Sequence, residues 1–261
     1  MIRAVVAGAG GRMGSRILAA LREEKDFAVT GAFERAGSEH VGRDADGIAI
    51  MAGIEDALGK GADVVIDFTA PSASLQHASV CAGRGIALVI GTTGFAAEQK
   101  NDLRAAARRI PLLLAPNMSV GVNVLFRLVA EAARALGPGY EVEIVEMHHR
   151  LKRDAPSGTA ARLAEIAAEA FGLGAEQSFV YARHGDTGPR KEGSIGLQSL
   201  RGGDVVGEHT VHFLADGERL ELTHEATSRD NFARGAIRAA RWLAGRKPGF
   251  YDMQDVLGLR T

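Results

Sequence analysis

The sequence predicts an α/β chain in two parts: a parallel sheet covered on both faces, then an α+β part with a mixed sheet. Three observations carry that prediction. Through residue 117, short apolar runs alternate with segments of helical spacing, the pattern of strands buried on both faces. Beyond Asn117 the strand-like segments alternate apolar and polar residues instead, as half-buried strands do. The 261 residues are 46% hydrophobic and 24% charged, enough for one large core or two modest ones.

Each element follows in order. Ile2–Ala7 reads as a buried strand running into glycines, and Arg12–Arg22 as a helix with Met13, Ile17, Leu18 and Leu21 on one face. Ala28–Phe33 is a second strand, while Gly37–Gly61 yields only a short candidate strand in GIAIM. Ala62–Phe68 is a third strand, Ser72–Ala82 a helix, Ile86–Ile90 a fourth strand, Ala96–Arg109 a helix and Pro111–Ala115 a fifth strand. Val120–Leu136 is a long helix, Glu141–His148 a strand, and alanine-rich Gly158–Phe171 a helix. Ser178–Ala182, Ser194–Arg201, Glu208–Leu214 and Arg219–Ala226 read as strands, the last two joined by a hairpin turn at Ala-Asp-Gly-Glu. Asn231–Leu243 is a final helix. The expected domains are 1–118 and 119–228, with 229–261 packing back on the first.

Net charge is −1, so nothing draws the whole chain to nucleic acid or an anionic membrane, and an anion site must be local. No apolar run approaches the roughly 18 residues of a membrane span. The start, MIRAVVAGAG, lacks a signal-peptide layout. Cys81, the single cysteine, has no internal disulfide partner, which suits a reducing compartment. The expected location is the cytoplasm.

The first strand enters Gly8-Ala9-Gly10-Gly11-Arg12-Met13-Gly14. Its spacing is G-x-x-G-x-x-G rather than G-x-G-x-x-G, but the physics is shared: a tight turn admits a pyrophosphate, and a helix N-terminus supplies N–H donors. Glu34 ends the second strand, 20 residues past Gly14, where an acid can accept hydrogen bonds from an adenosine ribose. Arg35 follows, and a guanidinium suits a 2′-phosphate; the pair is consistent with both NADH and NADPH. Strand ends elsewhere read DFTAPSAS, GTTGF (with Gly91, Thr92 and Thr93) and APNMSVGVN (with Ala115, Pro116, Asn117 and Met118), small polar loops able to approach a nicotinamide ribose. The first domain is thus expected to be a Rossmann-like nucleotide-binding domain.

A second constellation is His148-His149-Arg150-Leu151-Lys152-Arg153-Asp154-Ala155-Pro156-Ser157-Gly158-Thr159. Ser157 is a natural N-cap, and N–H groups near Gly158 and Thr159 can hold an anion. With the cations beside it, this reads as a cup for an acidic small molecule, and histidine can shuttle a proton near neutral pH. No H-E-x-x-H or paired-cysteine pattern suggests a metal.

VAGAGGRMG, DFTAPSAS, VIGTTGF, APNMSVGVN, EMHHRLKRDAPSGTA and GEHT occur in the order seen in the dihydrodipicolinate (4-hydroxy-tetrahydrodipicolinate) reductase family, which the chain resembles over nearly its whole length. The resemblance implies an NADH- or NADPH-dependent reductase of the diaminopimelate route to lysine, acting on a cyclic dicarboxylate with loss of water. It implies a second domain that binds substrate and builds a homotetramer. By matching positions, it implies an acid/base role for His148 and proton donation by Lys152. Carboxylate contacts are implied for His149, Ser157, Gly158 and Thr159, and cofactor contacts for Gly8–Gly14, Glu34, Arg35, Gly91–Thr93 and Ala115–Met118.

Other classes fare less well. A Tyr-x-x-x-Lys dehydrogenase fails, because Tyr140, Tyr181 and Tyr251 are followed at the fourth place by Ile144, Gly185 and Asp255. A semialdehyde dehydrogenase needs a nucleophilic cysteine, and Cys81 sits in an apparent helix among small residues. A non-catalytic nucleotide sensor, or a reductase for another acidic molecule, stays open. The sensor reading does not explain the basic cup, and no basic arm points to DNA.

Overall fold

The apolar run at the head of the chain becomes a central strand. The computed structural model describes residues 1–45 and 47–260. They form two units, Met1–Val120 with Asp230–Thr261, and Gly121–Arg229. In chain order the elements are β1 (Ile2–Ala7), α1 (Gly14–Arg22), β2 (Phe27–Phe33), β3 (Ile50–Met51), α2 (Ile54–Ala57), β4 (Val64–Asp67) and α3 (Pro71–Arg84). Next come β5 (Ala87–Ile90), α4 (Ala97–Ala107), β6 (Pro111–Leu114), α5 (Val120–Leu136), β7 (Glu141–His148), α6 (Gly158–Phe171) and α7 (Ala175–Ser178). The rest are β8 (Phe179–Val180), β9 (Ile195–Arg201), β10 (Gly207–Ala215), β11 (Glu218–Ala226), α8 (Asp230–Leu243), β12 (Gly249–Tyr251) and α9 (Met253–Val256).

The first unit is a Rossmann-like sheet in the order β12-β6-β5-β4-β1-β2-β3, with every pair parallel. Its strands read as mostly apolar runs because both faces are covered. Ala4 and Val6 face one core with Ile17, Leu18 and Leu21 of α1 and Ile237 and Leu243 of α8. Val5 and Ala7 face the other, with Ala78 and Cys81 of α3 and Leu103 of α4. Burying an Ile or Leu side chain contributes about 1.5–3 kcal/mol, which explains why α8 returns to this sheet with its apolar stripe inward.

Three short pieces of this unit escaped the sequence reading, among them the single turn α2 inside Gly37–Gly61. Strand β12 spans only three residues, too few for a period, and extends the sheet beyond β6. Helix α9 is a single turn held by a capping box, in which Asp252 accepts from the Gln254 N–H at 2.8 Å and Asp255 accepts from the Asp252 N–H at 2.8 Å. The candidate strand in GIAIM is present as β3.

The second unit has a mixed sheet in the order β11-β10-β7-β9-β8. β10 pairs antiparallel with β11 and β7, whereas β9 pairs parallel with β7 and β8. One face packs on α5 and α6 through Val129, Leu163, Ile144, Leu197, Val211 and Phe213. The expected strand at 178–182 shrinks to β8, an edge pairing of two residues. Beyond it Arg183 forks onto Glu143 at 2.9 and 2.8 Å, drawing the chain off the sheet edge.

Candidate active site

Strand order reverses at β1, which lies between β2 and β4. Open α/β sheets bind ligands beyond the strand carboxyl ends at such a reversal. There the chain turns through Gly8–Gly14. Gly8 has φ +66°, a left-handed backbone that suits glycine. A Cβ on Gly14 would collide with the Gly8 carbonyl, so α1 can start this close only with glycine. Glu34, following β2, accepts the Gly10 N–H through Oε1 at 3.0 Å. Arg12 and Arg35 are exposed. Glu34 and Arg35 line a cavity of about 410 Å³ together with Gly8, Thr69 and His77.

The wall of this crevice is a polar network within the DFTAPSAS and GTTGF loops, joined by His77, which the sequence reading did not single out. Asp67, at the end of β4, is fully buried. Its Oδ1 accepts from the Thr69 N–H at 2.9 Å and the Thr69 hydroxyl at 2.6 Å, and its Oδ2 bonds His77 Nδ1 at 2.8 Å. Thr92 Oγ1 accepts from the Thr69 N–H and the Ser74 hydroxyl, both at 3.0 Å. The loops after β4 and β5, including Gly91–Thr93, are thereby tied together. Thr93 and Pro116 are exposed, and Asn117 accepts the Ser119 N–H at 2.8 Å. Ala115 and Met118 are buried in the core beneath, so only their backbone can reach a ligand. A glycine turn with no room for a Cβ, an acid on its N–H and a cavity of this size fit a dinucleotide. Cys81 lies inside α3, where burial and the nearby Asp67 carboxylate push its thiol up to about 12. It is inert as a nucleophile.

In the second unit, alternation along three strands builds the other constellation. Residues two apart share a face. The helix-covered face carries Val142, Ile144, Glu146 and His148 on β7. From β9 it takes Ile195, Leu197, Ser199 and Arg201, and from β10 Phe213, Val211, His209 and Gly207. Register sets Glu146 beside His209 and Ser199, and His148 beside Arg201. The same face thus turns from apolar to polar at one end, where α6 begins.

Glu146 is 1% exposed. Its Oε2 accepts from His148 Nδ1 at 2.5 Å and Arg201 Nη1 at 2.9 Å. Its Oε1 accepts from Arg201 Nη2 at 2.8 Å and the Ser157 N–H at 3.1 Å. Burial pushes this carboxyl up, but hydrogen bonds from His148, Arg201 and Ser199 outweigh it and hold the group well below the usual range. A carboxylate accepts and does not donate, so His148 carries its hydrogen on Nδ1 and turns Nε2 away. Beside Nε2 stands Gly207, where a Cβ would come within 2.9 Å. His209 packs edge-on against His148 at 5.2 Å between centroids, and its Nε2 bonds Ser157 Oγ at 2.9 Å.

Ser157 caps α6 as expected, its Oγ accepting the Ala160 N–H at 3.2 Å, with Gly158 exposed and Thr159 half-buried at the helix start. Lys152 Nζ donates to both oxygens of Asp154 at 2.9 and 2.8 Å. His149 donates its N–H to Val205 at 2.8 Å, and its Nδ1 accepts from the Leu151 N–H at 3.2 Å. The structure therefore gathers His148 and Ser157 around Glu146 and leaves Lys152 in the adjoining loop. Glu146, Arg201 and His209 were missed at the sequence level, although their two-residue spacing from core positions was a readable signal.

Residues 2–118 match the family model described as dihydrodipicolinate reductase, N-terminus, and residues 121–257 that described as its C-terminus. The chain is 58% identical over 268 residues to a 4-hydroxy-tetrahydrodipicolinate reductase of Anaeromyxobacter dehalogenans, covering 100% of this chain and 99% of that one. It is 54% identical over 270 residues to the protein of the same name in Myxococcus xanthus, again covering 100% and 99%. In fold it is similar to a dipicolinate-bound dihydrodipicolinate reductase from Paenisporosarcina sp. TG-14, with a TM-score of 0.79, 23% identity and 98% of each chain covered.

Proposed function

Since the chain belongs to the dihydrodipicolinate reductase family and reduces 4-hydroxy-tetrahydrodipicolinate with NADH or NADPH in lysine biosynthesis, we propose that His148 and Lys152 handle the proton of that reaction. The substrate is read as (2S,4S)-4-hydroxy-2,3,4,5-tetrahydrodipicolinate and the product as (S)-2,3,4,5-tetrahydrodipicolinate. One hydride and one proton enter, and one water leaves.

When bound, the nicotinamide nucleotide supplies the hydride. Gly8–Gly14, Glu34, Arg35, Gly91–Thr93 and the backbone of Ala115–Met118 would hold it. Hydride arrival at a conjugated imine leaves an anionic, enamine-like carbon that must take a proton. His148, fixed at Nδ1 by Glu146, has Nε2 to exchange that proton. Lys152 Nζ, a charged donor, delivers it or recharges the histidine, and its partner Asp154 holds the ammonium in reach. His149 and the start of α6 at Ser157, Gly158 and Thr159 bind substrate carboxylates, each charge-assisted hydrogen bond contributing about 1.5–3 kcal/mol.

The observation that carries this reading is the 2.5 Å bond between His148 Nδ1 and a buried carboxylate, beside a capped helix start. Among the described residues no helix is long and apolar enough to cross a membrane; a cytoplasmic location and a homotetramer built through the second unit complete the proposal. The test is oxidation of NADH and of NADPH with substrate freshly made from pyruvate and aspartate semialdehyde by the preceding synthase. Substrate-dependent oxidation that His148→Ala lowers ~10²–10⁴-fold supports the assignment. Nucleotide binding without turnover would move the weight to a sensor.

A further inference from the structure

We propose that Glu146 is the positioning residue of this site, and that its one carboxylate sets the proton-exchanging histidine, the carboxylate-binding helix start and the lysine loop together. The inference rests on the reading of His148, Lys152 and α6 given above. Its basis is a division of labour between two oxygens. Oε2 faces His148 Nδ1, and Oε1 faces the Ser157 N–H. Arg201 bridges both oxygens in a fork at 2.9 and 2.8 Å. The same guanidinium donates from Nη2 to the Asp154 carbonyl at 2.7 Å. Asp154 in turn holds Lys152 Nζ. Three separate stretches of chain, residues 148, 152–154 and 157, are thus referenced to one ion pair whose carboxylate is buried and whose guanidinium is partly so.

Every group facing the two Glu146 oxygens in these bonds is a donor. An ionised carboxylate is the side-chain group that accepts from all of them at once. A carboxamide of the same shape must turn an NH₂ toward either His148 and Arg201 or Ser157 and Arg201, breaking one of the two assignments. With Nδ1 no longer held, the imidazole is free to change tautomer and rotate, the fault produced when the orienting acid of a catalytic triad becomes an amide. His209 closes the remaining side, packed on the His148 ring and bonded to Ser157 Oγ.

The experiment is steady-state kinetics of Glu146→Gln with both substrates varied, beside wild type and His148→Gln. We expect kcat to fall by roughly 10²-fold, the lower end of what a positioned acid/base contributes. KM for the dicarboxylate should rise, KM for NADPH should not move, and the pH profile of kcat/KM should change shape. Unchanged kcat, pH profile and dicarboxylate KM together overturn the proposal, as does a rise in nucleotide KM in proportion. Removing one member of a buried ion pair is strongly destabilising, so a second measurement uses the wild-type fold. A ¹⁵N-histidine-labelled wild type should show a strongly downfield imidazole N–H proton that His148→Gln removes, and absence of that resonance overturns the proposal. If wild type turns over but His148→Gln matches it, the reading of the site has failed rather than the role of Glu146.

Discussion

Replacing His209 by glutamine should flatten the acid lability of the second unit. His209 is 3% exposed, and its Nδ1 is without a partner among the described residues. Burial, with repulsion from His148, pushes its pKa down to about 3. Once the strand opens, the imidazole returns to about 6.5. The folded value is the lower one, so between pH 3 and 6.5 the open state binds more protons and stability falls as pH falls. Going from pH 7 to pH 5, this one group costs about 2 kcal/mol, or roughly 30-fold in the opening equilibrium. Glu146 has the same sign, because its folded pKa is also depressed, but its loss begins only as pH drops toward the ordinary glutamate value of 4.5. His224, also lowered by burial, is present in both proteins and cancels. Glutamine reaches the Nε2 position and can keep the bond to Ser157 Oγ. The assay is hydrogen exchange of peptides covering β10 at pH 7 and pH 5, as protection factors, which divide out the intrinsic pH dependence of exchange. Wild type should lose about 2 kcal/mol more protection than the variant. Equal losses would refute the argument.

Three further outcomes follow from the geometry. Gly14→Ala puts a Cβ into the Gly8 carbonyl, so KM should rise at least tenfold, about 1.4 kcal/mol, for both nucleotides, with the dicarboxylate KM unchanged; fluorescence titration with NADPH checks it. Glu34→Ala loses the bond to the Gly10 N–H and, on the proposed reading, a ribose acceptor. NADH affinity should fall by about 1.5–3 kcal/mol and NADPH affinity by less, because a carboxylate repels the 2′-phosphate; equal losses by calorimetry would show that Glu34 does not read the ribose. Lys152→Ala should cut turnover ~10²-fold or more with NADPH binding intact. A collapse of NADPH binding would place Lys152 in the wrong site.

Much of the fold was legible because its periods are clean. Ala87–Ile90 and Pro111–Leu114 are apolar throughout, and Ile2–Ala7 is apolar from Ala4 onward, since both faces are covered. Val120–Leu136, Glu141–His148 and Gly158–Phe171 are long enough for their spacing to mark both ends. What escaped, or came out shorter than expected, is short. β12, which escaped, and β8, a remnant of the strand expected at 178–182, have three and two residues, and their existence depends on a neighbouring strand rather than on their own pattern. The one-turn helix α9 was signalled only by its capping acids, Asp252 and Asp255.

The site was legible as chemistry along the chain but not as chemistry across the sheet. Reading forward, the cluster from His148 to Thr159 is conspicuous because its charges are adjacent in sequence. Glu146, Arg201 and His209 come from three different strands, and only register brings them together. Their common cue is a break in alternation: Val142 and Ile144 lead to Glu146, Ile195 and Leu197 to Ser199 and Arg201, and Phe213 and Val211 back to His209. A buried position that switches from apolar to ionisable carries a desolvation penalty that folding alone does not reward. Three strands that make that switch at neighbouring register positions bear the penalty jointly, and what they hold between them is the ring of His148. Alternation can therefore be read for more than the direction of the core. Where the inward stripe turns polar on several strands at once, the sequence already marks the polar end of the sheet, where the proposed chemistry lies.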